Sequence, residues 1–292
     1  MSLSRRRVPS YDLHQHLWPR PFVDALMARA EPPLITRDGS RLELADGTWD
    51  AELDAHELEA RLALLDRDEV DVAVLSLPPT LGVYEMPELV HAYHRGIGDV
   101  VDAAGGRLAA FSAGEVLDGF AGVCISARDL ADDFDAVAEV LATAEATGTL
   151  VFVHPGPATP RATGPAWWGP VVDYTAQQQA AYATWLARGL DAYPSLRVVF
   201  AILAGGAPIQ LERLRSRGWD TRRAESPNVF FDTASYGRRA LELCVATFGS
   251  SQLVYGTDAP VVHPRVMAEA LAELGEATAT VVREANPSLL LA

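Results

Sequence analysis

Eight short, near-continuous apolar runs recur along this chain, separated by stretches rich in Ala, Leu and Glu at helical spacing. The runs are Tyr11–Leu17, Val70–Leu77, Leu108–Ser112, Gly119–Ile125, Leu150–Val153, Arg197–Leu203, Val229–Asp232 and Gln252–Tyr255. Their β-branched, unbroken apolar character suits strands buried on both faces, hence a parallel sheet covered by helices. Between them Pro87–Ala104, Asp132–Thr147, Val171–Ala192, Pro208–Gly218, Arg238–Phe248 and Pro264–Leu274 read as helices. Gly105-Gly106, Gly148 and Gly218 stand where helix C-terminal glycines belong. Eight strands alternating with helices over about 250 residues predict an α/β fold, the (β/α)8 barrel. One step is short: Ala113–Asp118 leaves no room for a helix between the third and fourth strands. Arg41 to Trp49 reads as a small hairpin around Asp46-Gly47, within an insertion of about residues 31–53 after the first strand. Asp54–Asp66 then supplies the first outer helix. No repeat or linker interrupts residues 1–292, which read as one barrel domain.

Composition removes several chemistries. The chain has 24 basic against 39 acidic residues, a formal charge of −15 and a pI near 4.8, so a nucleic-acid partner is not expected. All 24 basic residues are Arg. Without lysine there is no Schiff base, no pyridoxal phosphate anchor, no phosphate-loop Lys and no carbamylated-lysine metal bridge. No apolar run exceeds about ten residues, too short for a membrane span. Cys124 and Cys244 lie far apart and read as free thiols of a reducing compartment. Arg5-Arg6-Arg7 precedes no apolar segment, so a cytoplasmic location is expected.

In a barrel, catalytic groups project from the C-terminal strand ends. The first strand ends Asp12-Leu13-His14-Gln15-His16, and alternation places His14 and His16 on one face. The fifth ends in His154-Pro155-Gly156 and the eighth in Asp258-Ala259-Pro260. Three imidazoles and a carboxylate at equivalent strand ends form a set for one divalent ion, with positions left for water or substrate. Zinc is the first choice from this His-rich set, with manganese as the alternative.

The residues around these donors resemble the amidohydrolase superfamily, in its "amidohydrolase 2" branch. The resemblance rests on Asp12-Leu-His-Gln-His-Leu-Trp-Pro19, Phe152-Val-His-Pro-Gly156 and Tyr255-Gly-Thr-Asp-Ala-Pro260, and runs from Tyr11 to about Leu274. That branch includes aminocarboxymuconate-semialdehyde decarboxylase, resorcylate-type decarboxylases and lactone hydrolases. The resemblance implies that His14, His16, His154 and Asp258 are metal ligands. It also implies a strand-six His in a phrase like Ala-His-x-Gly-Gly, but here that position is Ile202, in Phe200-Ala-Ile-Leu-Ala-Gly-Gly206. Dimers are common in the family, so a homodimer is the expected assembly.

Further candidates line the expected barrel mouth. Asp232 ends the seventh run, and Trp18 follows the His-x-His pair. His263 lies five residues after Asp258. Arg161, Trp167 and Trp168 occupy the long loop after the fifth strand, where a lid or substrate wall is often built. These six are expected to touch substrate. Arg161 and Arg128 are the cations available for a substrate carboxylate. Glu115 reads as a solvated loop carboxylate, and His56, His91 and His94 as solvent-facing.

The leading expectation is a metal-dependent hydrolase of a small amide or lactone, with metal-activated water and Asp258 as base. It needs no strand-six His. Non-oxidative decarboxylation of an aromatic or muconate-like acid is the alternative on the same fold. A barrel that binds metal or metabolite without turnover is the third reading, motivated by Ile202. Ile202 is expected to point into the barrel beside the metal; the other register would turn Leu203 inward.

Overall fold

Eight parallel strands form the central sheet of the computed structural model, which describes residues 8–161, 163–262 and 265–292. In chain order β1 (Tyr11–His16) comes first. Then β2 (Leu34–Ile35), β3 (Arg41–Leu44) and β4 (Gly47–Asp50) make a separate antiparallel sheet. The central sheet resumes with β5 (Val72–Ser76), β6 (Leu108–Ala113), β7 (Gly122–Ser126) and β8 (Val151–His154). It is completed by β9 (Val198–Phe200), β10 (Val229–Asp232) and β11 (Leu253–Val254). Its strands pair in sequence order. The last returns to the first: Leu13 N–H donates to Tyr255 O (2.9 Å) and His16 N–H to Ala259 O (2.8 Å). The sheet therefore closes into a (β/α)8 barrel, and each apolar run of the sequence supplies one of its strands.

Alternation sorts the strand residues into two layers. Val74, Phe111, Cys124, Phe152, Val199, Phe230 and Val254 share one cluster inside the barrel. Their neighbours, such as Val151, Val153, Phe200 and Phe231, pack outward beneath the helices. Leu290, from the last helix Asn286–Leu290, joins the interior cluster and plugs the N-terminal end. Only the step from β6 to β7 has no intervening helix, as its length requires.

β1 departs from simple alternation. Asp12 pairs with Ala73 and Gln15 with Leu75, so three steps along β1 match two along β5. This bulge lets adjacent residues share the interior: Leu13 fills the core while His14 packs edge-on to Phe152. Alternation alone does not give that placement.

Several boundaries differ from the sequence reading. The insertion is a three-stranded sheet, not a lone hairpin, because Leu34–Ile35 adds to β3. Its turn is Ala45-Asp46 with Gly47 already in β4; neither turn residue has positive φ, so no glycine is needed there. The helix expected over 132–147 is two, Ala127–Asp132 and Ala138–Thr147, with the Ser126 hydroxyl accepting from Asp129 N–H (3.3 Å) at the first N-cap. A helix at Arg20–Met27, with Pro21 in its first turn and Phe22, Val23 and Leu26 on its buried face, and helical segments over 276–290 add to those expected.

Candidate metal centre

The interior layer ends in polar groups at the C-terminal side of the barrel. Two residues beyond Phe152, on the same face, comes His154; two beyond Phe230 comes Asp232. Both are buried, as are His14 and His16.

Each imidazole is fixed through its Nδ1. His14 Nδ1 lies 2.6 Å from Asp232 Oδ2, His16 Nδ1 3.0 Å from Ser76 O, and His154 Nδ1 3.0 Å from Pro155 O. These partners are a carboxylate and two carbonyls, which only accept, so all three Nδ1 atoms carry the hydrogen. All three Nε2 lone pairs are then left free, and they converge. His14 Nε2 is 3.2 Å from His16 Nε2, and Asp258 Oδ1 is 3.0 Å from His16 Nε2 and 3.5 Å from His14 Nε2. Donor atoms of His14, His16, His154 and Asp258 all lie within 4.8 Å of one another.

Converging lone pairs and a carboxylate repel one another unless a cation sits among them. The separations of 3.0 to 3.5 Å are close to the tetrahedron edge of about 3.4 Å set by donors about 2.1 Å from a zinc ion. The residues fit a divalent ion.

The electrostatics agree. Burial opposes charge on His14, but the charge and hydrogen bond of Asp232, with Asp258 behind them, outweigh it and push its pKa up to about 9. Burial, and the nearby His14 and His16, push His154 well below its ordinary value, which keeps that ring neutral. In the metal-free protein a proton thus takes the place of the ion on His14.

The donors are held by a laced seam between β1 and the segment after β11. Asp12 Oδ1 accepts from the amides of His14 and Thr257 (3.1 Å each), and its Oδ2 accepts from Gln15 Nε2 (2.7 Å) and Thr257 Oγ1 (2.6 Å). Arg61, also buried, donates to Gln15 Oε1 (2.6 Å) and His16 O (2.7 Å). Asp258 sits at φ +63°, a conformation Asp tolerates, and its amide donates to His14 O (2.7 Å). Gly256 lies against His14 and Asp232; a Cβ there would come within 2.8 Å of His14 Cβ and 3.1 Å of Asp232 Cβ.

Above the donors opens a cavity of about 580 Å³, a size suited to a small ring compound. His16, His154 and Asp258 form its floor, and Asp258, at 16% exposure, is the donor most open to it. Trp18, Leu81, Ile202 and Val262 make apolar walls, and the insertion roofs it with Leu42, Leu44 and Trp49. Tyr174 and Thr80 line it as well.

The structure brings together His14, His16, His154 and Asp258, and puts Trp18 in the cavity wall. Other candidates fall elsewhere. Asp232 does not border the cavity; it holds His14 and accepts from the amides of Ile202 (2.8 Å) and Ala234 (3.0 Å). Arg161 stacks on Trp168 in a separate surface pocket, and Trp167 is 56% exposed; among the described residues the loop lines the cavity at its two ends, Pro155 and Pro170–Val171. Arg128 lies beside Thr159, outside the cavity. His263 falls outside the described residues. Among the described residues no Arg lines the cavity.

Ile202 does line it, and Leu203 packs in the outer core. With Val199 and Ala201 inside, alternation would turn Ile202 outward. Three successive left-handed residues prevent that, Ile202, Leu203 and Ala204 at φ +46°, +51° and +49°, a conformation costing about 1–2 kcal/mol per residue. The Asp232 carboxylate, capping the Ile202 amide, helps to hold this turn.

Two histidines read as solvent-facing are not. His94 accepts the Ala113 amide at Nε2 (2.8 Å), which ties helix Pro87–Ala103 to β6. His56 is buried at the end of the insertion and borders the cavity. His91 is exposed, and Glu115 is an exposed loop carboxylate near His94.

A closed barrel with three oriented imidazoles and a carboxylate at its mouth is an arrangement that could hold a metal ion. The chain belongs to the amidohydrolase family, whose model matches residues 11–287. No curated protein matches it. Among solved structures it is similar to IDCase from Metarhizium anisopliae, at 20% identity and a TM-score of 0.81, covering 100% of this chain and 98% of that one. It is also similar to 5-carboxyvanillate decarboxylase from Sphingomonas paucimobilis, at 18% identity, a TM-score of 0.72 and coverage of 98% and 99%. A dihydroxybenzoic acid decarboxylase from Polaromonas sp. JS666, solved with manganese and 2-nitroresorcinol, matches at 15% identity, a TM-score of 0.72 and coverage of 98% and 97%.

Two outcomes follow. Ion binding must displace the His14 proton, so affinity for zinc or manganese should rise about tenfold per pH unit up to pH near 9, with close to one proton released per ion at pH 7. Calorimetry in buffers of different ionisation enthalpy measures this; an affinity flat from pH 6.5 to 8.5 would contradict it. Asp232→Ala should weaken the ion by about 10–100-fold in a chelator competition, with the fold intact, because His14 loses its orienting partner. Unchanged affinity would show that Asp232 does not orient the ligand.

Proposed function

We propose that this protein is a mononuclear metal-dependent decarboxylase that removes carbon dioxide from a small ring acid without oxidation. His14, His16, His154 and Asp258 would hold the ion. A divalent ion held there supplies fixed positive charge to an anionic oxygen of the substrate. The observation that carries the reading is Asp258, the donor most open to a cavity that has apolar walls at Trp18, Leu81 and Ile202 and no arginine among its described lining residues.

In such a cavity Asp258 is the group placed to move a proton. Its carboxyl delivers a proton to the ring carbon that bears the acid group. The bond from that carbon to the carboxylate then breaks, its electron pair returns to the ring, and neutral carbon dioxide leaves. Solvent at the open side returns the proton to Asp258. The apolar walls of Trp18, Leu81 and Ile202 favour the neutral product over the charged acid, which helps the bond break. The similarity to decarboxylases of aromatic acids supports this reading over the hydrolytic one.

Ile202 favours a second reading. No imidazole stands at that wall, and hydrolysis of a lactone or cyclic amide needs only the ion and Asp258 as base.

Protein loaded with manganese or zinc should release carbon dioxide from a hydroxy- or methoxy-substituted benzoate, placing one deuterium on the ring in heavy water. Asp258→Asn should lower that turnover at least about a thousandfold at equal metal content. Ring opening of lactones without carbon dioxide release would establish the second reading. Full metal loading with no turnover of either class would leave the barrel as a binding protein.

A further inference from the structure

His56 closes the insertion, in the short turn Leu53–His56, and no reading of the sequence placed it near the site. Its ring lies flat on Trp18, with centroids 4.0 Å apart and planes 15° apart. Its Nδ1 accepts the backbone N–H of Trp18 (3.1 Å). A nitrogen that accepts cannot also carry a proton, so the hydrogen of this imidazole is on Nε2 and the ring is uncharged. Burial, with Arg61 and His16 nearby, keeps it so down to a pH of about 3.

His56 is 8% exposed and lines the cavity, and among the described residues Nε2 has no acceptor. A fixed N–H donor that opens into a ligand cavity, with no protein acceptor among the described residues, is placed to meet a ligand acceptor. The stack on Trp18 and the bond to its backbone fix the direction of that donor, so little entropy is lost when it is used.

The charges around the cavity restrict what it meets. Among the described residues no Arg lines it; the exposed carboxylates Asp50 and Glu52 do, and Asp50 is paired with Arg41. One negative charge on a ligand has the metal centre to pair with; a second would find no cation in the lining and would face Glu52.

Resting on the decarboxylase reading for the acid group, we propose that His56 is the specificity-determining residue of the cavity. Its Nε2–H hydrogen-bonds an uncharged acceptor, a methoxy, hydroxyl or carbonyl oxygen, on a flat ring acid that carries a single negative charge. The ring acid thus spans the cavity, its charge at the metal donors and its neutral oxygen at the insertion.

Binding to the metal-loaded protein tests this with paired probes of like shape, 3- and 4-methoxybenzoate against 3- and 4-ethylbenzoate, with isophthalate as the doubly charged probe. At one ring position at least, the methoxy acid should bind about five- to tenfold more tightly than its ethyl partner. The preference should vanish in His56→Phe, which keeps the stack, and in His56→Asn, which keeps an acceptor for the Trp18 amide. Isophthalate should bind more weakly than benzoate. A methoxy preference that survives both substitutions, the lack of one in the unaltered protein, or tight isophthalate binding would overturn the proposal. Ring acids that bind equally with and without metal would count against the decarboxylase reading alone, because the methoxy preference would still report on His56.

Discussion

Three hydrogen bonds on the outer side of three imidazoles decide what this barrel can do. Asp232, Ser76 O and Pro155 O each take the Nδ1 hydrogen of one ring, and so turn three Nε2 lone pairs toward one point beside Asp258. Nothing in the cavity itself does this. The orienting groups lie at the ends of β5, β8 and β10, so the metal-binding geometry depends on the barrel being closed and in register.

Closure and register meet at β1. The bulge between Asp12 and Gln15 admits Leu13 to the core and His14 to the site, and the Asp12 carboxylate ties that bulge to Thr257 across the seam. Gln15 links Asp12 to the buried Arg61, so two opposite buried charges are joined through an amide. A network of this kind is stiff, because each member would be stranded without the others. By contrast the wall at Ile202 is held against its own preference. A β-branched residue at positive φ is disfavoured, and it stays there because Asp232 caps its amide and Leu203 is anchored in the outer core.

The eight strands were legible in the sequence as continuous apolar runs, and the four candidate donors as polar residues at the ends of those runs. Period-2 alternation from Phe152 leads to His154, and the end of a parallel strand leads to the barrel mouth. What was hidden depends on departures from periodicity or on distant partners. Ile202 was expected at the mouth from the family resemblance and does line it, but the left-handed turn that puts it there, against alternation, was not legible. Asp232 ends its strand like a substrate-facing group, but its distance to His14 decides its role. Arg161, Trp167 and Trp168 lie in a loop whose path no spacing fixes, and two of the three pack on each other as a cation over a ring. His56 was the largest omission. Its signal, a histidine at the end of the insertion next to the alternating Leu42, Leu44 and Trp49, acquires meaning only once the small sheet folds over the mouth.

Joint binding of one ion by these four side chains is measured most directly by X-ray absorption at the metal edge of protein loaded with one equivalent of zinc. Imidazole scattering should fit three histidine rings, with the remaining neighbours oxygen and none sulfur, and His154→Ala should reduce the imidazole count to two. A spectrum with one imidazole or none, or with sulfur neighbours from Cys124 or Cys244, would contradict it.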